Sequence, residues 1–149
     1  MSAPPRTAVV SGASSGIGAA TAIEMGRQGW QVAIGARRAD RLEETAKRLE
    51  AAGGRAFVHP LDVTQPESVD AFCSAVERAL GPVDLLVNNA GQNLPVLIHE
   101  ATEEELRSDL EVNLLGAMWM TRRLLPTICL LYTSPSPRDA TLSRMPSSA

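Results

Sequence analysis

The run Ser11-Gly12-Ala13-Ser14-Ser15-Gly16-Ile17-Gly18 carries the most specific chemistry in the chain. Its glycines, spaced Gly-x-x-x-Gly-x-Gly, let a backbone turn tightly and approach a ligand with no Cβ in the way. An apolar run, Thr7 to Ser11, precedes it and a helical pattern follows. A helix start presents unpaired amides and the positive end of its dipole, which suit the charge of a pyrophosphate. A bare glycine cluster would serve helix–strand packing equally well. Its position between strand and helix, inside a βαβ unit, points instead to a dinucleotide.

Three further segments place polar residues near the ends of apolar runs: Leu61-Asp62-Val63-Thr64, Asn88-Asn89-Ala90-Gly91 and Glu111-Val112-Asn113-Leu114. Each has an ordinary use when taken singly. Asp62 can cap a helix entry, Asn88-Asn89 can make a turn, and Asn113 can be a polar helix residue. His59 and His99 lack partners at metal-ligand spacing, so no metal is expected. Cys73 beside Phe72 reads as packing, Glu103-Glu104-Glu105 as helix N-terminal charge, and Arg122-Arg123 as a solvated helix face or a subunit contact.

The elements that must position these groups alternate. Strands are expected at Thr7–Ser11, Trp30–Ala36, Ala56–Val58 and Val83–Val87, with helices at Ala19–Gln28 and Ala39–Ala52. Thr64-Gln65-Pro66-Glu67 reads as a capping box opening a third helix, which Gly81-Pro82 closes. Thr102-Glu103-Glu104-Glu105 opens a longer one running to about Thr127. Strands alternating with helices of this length predict an α/β fold: a Rossmann-type, doubly wound parallel sheet covered on both faces.

Taken jointly and in this order, the glycine loop, Asp62, the Asn-Asn-Ala-Gly segment and Asn113 resemble the short-chain dehydrogenase/reductase family over about residues 6 to 127. The resemblance implies roles at the matching positions. Ser11, Gly12, Ser14, Ser15, Gly16 and Gly18 would form the phosphate loop, with Ile17 near the pyrophosphate or nicotinamide. Asp62 would accept from the adenine amino group, Val63 would flank the ring, and Asn88, Ala90 and Gly91 would line the ribose side. Asn113, the one catalytic residue that can be matched, would interrupt its helix and hold a water in a proton relay. The implied reaction is hydride transfer between a nicotinamide cofactor and a small-molecule carbonyl or alcohol, in a homo-oligomer. The family's tyrosine, with a lysine four residues later, finds no match. Tyr132 is the only tyrosine and is followed by Ser136, and the single lysine is Lys47. The chain is therefore expected to be an inactive fragment. The alternative is a non-catalytic dinucleotide-binding or regulatory module, which the genomic frame beyond the Thr127 codon distinguishes.

The second strand ends at Gly35-Ala36-Arg37-Arg38. An NAD site puts a carboxylate there for the ribose hydroxyls, and that carboxylate would repel a 2′-phosphate. Here the position is neutral and two guanidinium groups follow, which can fork onto a phosphate. NADP(H) is thus expected over NAD(H), with Arg37 the main contact and Arg38 secondary.

Composition bounds the rest. With 44% hydrophobic and 21% charged residues, the 149-residue chain reads as globular, and its net charge of -3 gives no basic footprint for nucleic acid. No apolar stretch reaches membrane-spanning length, so no membrane partner is expected. Two cysteines cannot build a disulfide framework, which implies a reducing, cytoplasmic compartment. From Cys129 the composition shifts to five serines and three prolines in 21 residues, without glycine, valine, glutamate or lysine. Cys129 to Asp139 and Ser143 to Ala149 read as same-frame translations of the two parts of a sequencing adapter. Residues 1–128 are accordingly expected to be the N-terminal part of an NAD(P)-binding domain, and 129–149 a non-native, disordered tail.

Overall fold

Five residues with no polar interruption at their centre, Thr7–Ser11, form strand β1, and all five are buried. The computed structural model describes residues 5–93 and 96–130. After β1 come α1 (Gly16–Arg27), β2 (Gln31–Ala36), α2 (Ala39–Ala51), β3 (Arg55–Pro60), α3 (Pro66–Leu80) and β4 (Leu85–Val87). Helix α4 (Glu103–Leu110) then runs through a π-helical turn, Glu111–Leu115, into α5 (Gly116–Leu130).

The four strands are parallel and ordered β3-β2-β1-β4. β1 is central, pairing Val9 with Ala33 of β2 and with Leu86 of β4. Such a strand must be apolar on both faces, which is why Thr7–Ser11 lacks the alternation of a half-exposed strand. One face packs on α1 and α2 through Val10, Val32, Ile34, Leu42 and Leu49. The other packs on α3 and α5 through Val9, Ala33, Phe72, Val76, Met120 and Leu124. The expected α/β architecture is therefore present.

Several boundaries differ from expectation for identifiable reasons. α1 starts at Gly16 rather than Ala19, because the loop commits the glycines to the first turn despite their low helix propensity. β3 runs from Arg55 to Pro60, longer than the apolar triplet Ala56–Val58, since pairing with Gln31–Ala36 carries polar residues along the edge. The box expected at Thr64 does not form. Pro66 is the first helical residue, Gln65 is the N-cap without a side-chain bond, and the Thr64 hydroxyl donates to Asp62 Oδ1 at 2.8 Å. The Thr102 box does form: its oxygen accepts from the Glu105 amide, and Glu105 Oε2 accepts from the Thr102 amide at 2.8 Å. α5 continues through Leu130 and includes Cys129; residues 131–149, with Tyr132, lie outside the described residues.

Arg123 is no solvated charge. It donates to Glu77 Oε2 at 2.9 Å and Oε1 at 3.2 Å, tying α5 to α3, while Thr127 Oγ1 donates to Glu77 Oε1 at 3.1 Å. These hydrogen bonds, Arg123's foremost, hold the Glu77 carboxyl below its usual range. The stability so gained is present above the usual carboxylate pKa and is lost as pH falls through the lowered one. Arg122 instead lies over the Trp119 ring, 5.5 Å from its centroid.

Burial pushes the Cys73 thiol up to about 12. The folded chain should therefore hold on the order of a thousandfold less thiolate there than an exposed cysteine. Alkylation at Cys73, separated from Cys129 by peptide mapping, should stay negligible at pH 8 until denaturant is added. Ready labelling of the folded chain would contradict the packing.

Candidate functional site

Because the strands are parallel, the segments leaving β1, β2, β3 and β4 emerge at one end of the sheet. The chain reverses its direction of winding between β1 and β4, where open parallel sheets leave a crevice beyond the strand ends. The glycine loop closes that end of β1. Gly12 (φ 69°) and Gly16 (φ 57°) occupy the left-handed region, which costs a Cβ-bearing residue. A Cβ on Gly12 would also lie 2.7 Å from Ala90 Cα, so the loop and the residues after β4 touch through backbone.

Two side chains lock this approach. Ser11 Oγ accepts from the Asn89 amide at 3.1 Å and the Ala90 amide at 3.0 Å. Asn89 Nδ2 returns bonds to the Ser11 and Gly12 carbonyls, both at 3.1 Å. Ser11 is thus a buried pin beneath the site and does not line it. Ser11→Ala strands two amides and should cost about 1–3 kcal/mol in urea unfolding, with Ser11→Thr recovering most of it. Equal midpoints for the alanine variant and the parent would show the pin to be idle.

Above the pin lies a cleft of about 460 Å³. Gly12, Ser14 and Ser15 form its floor on the loop side; Ala36, Arg37 and Arg38 come from the end of β2. Leu61 to Thr64 follow β3, Asn89 to Gly91 follow β4, and Val112 closes the wall from the π-helical turn. The structure so brings together nine residues picked from sequence: Gly12, Ser14, Ser15, Arg37, Arg38, Asp62, Val63, Ala90 and Gly91. Gly16 and Gly18 lie behind them in the first turn of α1, and Ile17 is 80% exposed beside the loop.

Charge is arranged unevenly along the cleft. The first turn of α1 holds no acidic residue, so nothing offsets its positive end. Arg38 Nη2 donates to Ser14 Oγ at 3.0 Å and to Ser15 Oγ at 2.9 Å. Arg37, also in the wall, makes no hydrogen bond or ion pair among the described residues. Asp62 supplies the one carboxylate. Its Oδ1 accepts from the Thr64 amide at 3.0 Å and the Thr64 hydroxyl, leaving Oδ2 free to accept from a ligand. One end of the cleft therefore favours anions and the other an N–H donor beside the apolar Val63. That combination fits an adenine dinucleotide.

Asn88 and Asn113 stand apart from the wall. Asn88 Nδ2 donates to Thr121 Oγ1 on α5 at 3.0 Å. Asn113 lies in the π-helical turn; its Oδ1 accepts from the Gln92 amide at 2.9 Å, and its Nδ2 donates to the Gln92 carbonyl at 2.8 Å and to Asp109. It braces the segment after β4 against the helix. Asn89 was missed by sequence reading, which chose Asn88 from the same pair. The available signal was parity: consecutive residues leaving an extended strand point to opposite sides, and only one can face the β1 loop.

The family model described as short chain dehydrogenase matches residues 6–133. The 2,3-dihydro-2,3-dihydroxybenzoate dehydrogenase of Bacillus subtilis is 35% identical over 117 residues, covering 78% of this chain and 45% of the relative. An alcohol dehydrogenase of the archaeon Thermococcus sibiricus, solved with 5-hydroxy-NADP, is 41% identical with a TM-score of 0.79 over 83% of this chain and 53% of its own. Actinorhodin polyketide ketoreductase (its F189W form), solved with NADPH, is 35% identical with a TM-score of 0.81 over 88% of this chain and 51% of its own. The chain spans about half the length of such curated relatives or less.

Proposed function

The chain belongs to the short-chain dehydrogenase family, and on that premise we propose that it is the N-terminal, cofactor-binding portion of an oxidoreductase preferring NADP(H) to NAD(H). The observation that carries this reading is the end of β2, where neutral Ala36 is followed by two arginines in the cleft wall. Arg37 is the main contact for the 2′-phosphate, since its donors are uncommitted, and Arg38 is secondary. The NADP-type cofactors in the two similar structures support the same preference.

Gly12, Gly16 and Gly18 shape the pyrophosphate loop, Ser11 pins it from beneath, Ser14 and Ser15 line it, and Ile17 covers its outer side. Asp62 accepts from the adenine amino group with Val63 against the ring; Ala90 and Gly91 serve the ribose side, and Asn88, turned to Thr121 on α5, takes no part in it. Asn113 supports the proton relay of the complete enzyme. When bound, the cofactor supplies or takes up a hydride, exchanged with a small carbonyl or alcohol. The chain as it stands lacks the tyrosine–lysine pair for the accompanying proton transfer, so it binds without turning over. Residues 1–128 form the family portion and 129–149 the foreign tail.

Titration of the chain with NADPH and NADH tests the reading, followed by the nicotinamide fluorescence. NADPH should bind at least about tenfold more tightly, and Arg37→Ala should remove most of that margin. Equal or tighter binding of NADH would refute the assignment, and an unchanged margin in the variant would refute the role of Arg37.

A further inference from the structure

On the sheet face away from α1 and α2, helices α3 and α5 leave a groove of about 380 Å³ between them. It shares no lining residue with the cofactor cleft. Its volume falls within the range of about 300–1,000 Å³ usual for small-molecule sites. Val69, 2% exposed, lies at its floor, and the half-buried Trp119 packs against the same core. Pro66 at the start of α3 and Pro126 inside α5, both exposed, form the rims. Neither proline carries an N–H, so the rims present rigid apolar rings and no backbone donor.

The charges of the groove divide into committed and free. Arg123 donates to Glu77 Oε2 at 2.9 Å and lies 3.5 Å from Asp70 Oδ1, so two carboxylates already claim it. Arg122, also in the lining, makes no hydrogen bond or ion pair among the described residues. Its guanidinium sits 5.5 Å from the centroid of the Trp119 ring. A cation–π contact uses the charge and spends no N–H, so the donors of Arg122 remain available to a ligand.

The geometry points to a binding site for a flat aromatic monocarboxylate, with its ring against Trp119 and Val69 and its carboxylate on Arg122. One carboxylate matches one planar guanidinium bidentately, and such charge-assisted pairs are the stronger kind of hydrogen bond. A dianion fits less well, because Asp70 lines the same groove and its partner Arg123 is shared with Glu77. A neutral aromatic molecule would leave the Arg122 donors unmet. A rigid ring also loses less conformational freedom than a flexible chain when held in a short groove. The site stands apart from the NADP(H) reading and does not depend on it.

The test follows the indole N–H signals of the full chain by NMR at neutral pH while 2-naphthoate is added. The chain has two tryptophans, and Trp30, stacked under Arg6 at 4.1 Å, is the internal control. 2-Naphthoate should shift the Trp119 signal with a Kd of about 1 mM or below and leave that of Trp30 in place. 2-Naphthamide, which lacks the charge, and 2-naphthyl phosphate, which doubles it, should each bind at least about fivefold more weakly. Arg122→Gln should erase the acid's margin over the amide and leave the amide's own affinity unchanged, a split that a folding defect would not produce. Saturating NADPH should leave naphthoate binding as it was. An unmoved Trp119 signal, or displacement of the probe by NADPH, would overturn the site. Acid and amide bound alike, or a margin that survives Arg122→Gln, would overturn the role of Arg122. Tighter binding of the phosphate than of the acid would overturn the carboxylate assignment.

Discussion

Incubated with NADPH and a panel of aldehydes and ketones, the 149-residue chain should consume cofactor no faster than buffer alone. Reduction of a carbonyl needs a proton delivered as the hydride arrives. A phenol titrating near 10 can do this at neutral pH only with a cation close by to lower its pKa. The sole lysine, Lys47, sits on the exposed face of α2, and the sole tyrosine has Ser136 where the family places lysine. Loss of such a general acid typically costs ~10²–10⁴ in rate. Ser11, Ser14 and Ser15 cannot substitute, since Ser11 is bonded to the Asn89 and Ala90 amides and the other two to Arg38. Substrate-dependent NADPH oxidation above the control would sink this expectation, provided that it copurifies with the chain and survives a change of affinity tag.

Gly12→Ala should do the most damage of any single methyl added to the cleft. Two independent costs combine there. The left-handed φ of 69° costs a Cβ-bearing residue ~1–2 kcal/mol. The new methyl would also stand 2.7 Å from Ala90 Cα and 2.9 Å from its amide nitrogen, backbone that Ser11 already holds. Overpacking of this kind adds ~1–3 kcal/mol. The loop can relieve the clash only by moving away from Ala90, which opens the cleft floor. A lowered urea midpoint and lost NADPH binding should therefore appear together. Gly16→Ala provides the internal control: φ is 57°, but nothing lies within 4 Å of the added methyl. It should cost only the conformational share. Equal losses in the two variants would mean that contact with Ala90 carries none of the effect.

The alternation of strands and helices was legible because it depends on runs of several residues. An error of one position at either end matters little to a buried strand such as β1, where every side chain is apolar or hydrogen-bonded. The glycine loop was legible for a different reason: it lies between a strand and a helix inside a βαβ unit, a placement that the glycine spacing alone would not have made informative. What escaped the sequence were choices between near-equivalent partners. Thr64 could cap α3 or bond Asp62; with Pro66 as the first helical residue the N-cap falls on Gln65, one position beyond Thr64, whose hydroxyl donates to Asp62. Asn88 and Asn89 are chemically identical, and only the end of β4 decides which one reaches the β1 loop. Arg123 looks like its neighbour Arg122 in one dimension; the approach of α3 separates them, giving one a carboxylate and the other an indole ring.

The bond pair at the opposite end of β1, Thr7 amide to Asp84 Oδ2 at 2.7 Å and Asp84 amide to the Thr7 carbonyl at 2.9 Å, joins residues 77 positions apart. The Ser11–Asn89 pin spans a similar interval. Both belong to the slow class of contacts, whose loop-closure entropy must be met before they form. During synthesis β1, β2 and β3 leave the ribosome well before β4, and they can pair while the glycine loop still lacks its restraint. The glycine loop's shape is thus completed late in vectorial synthesis: a nascent chain arrested before Asn89 would display the loop's sequence without its restraint, and the onset of protection in the loop would time the docking of β4.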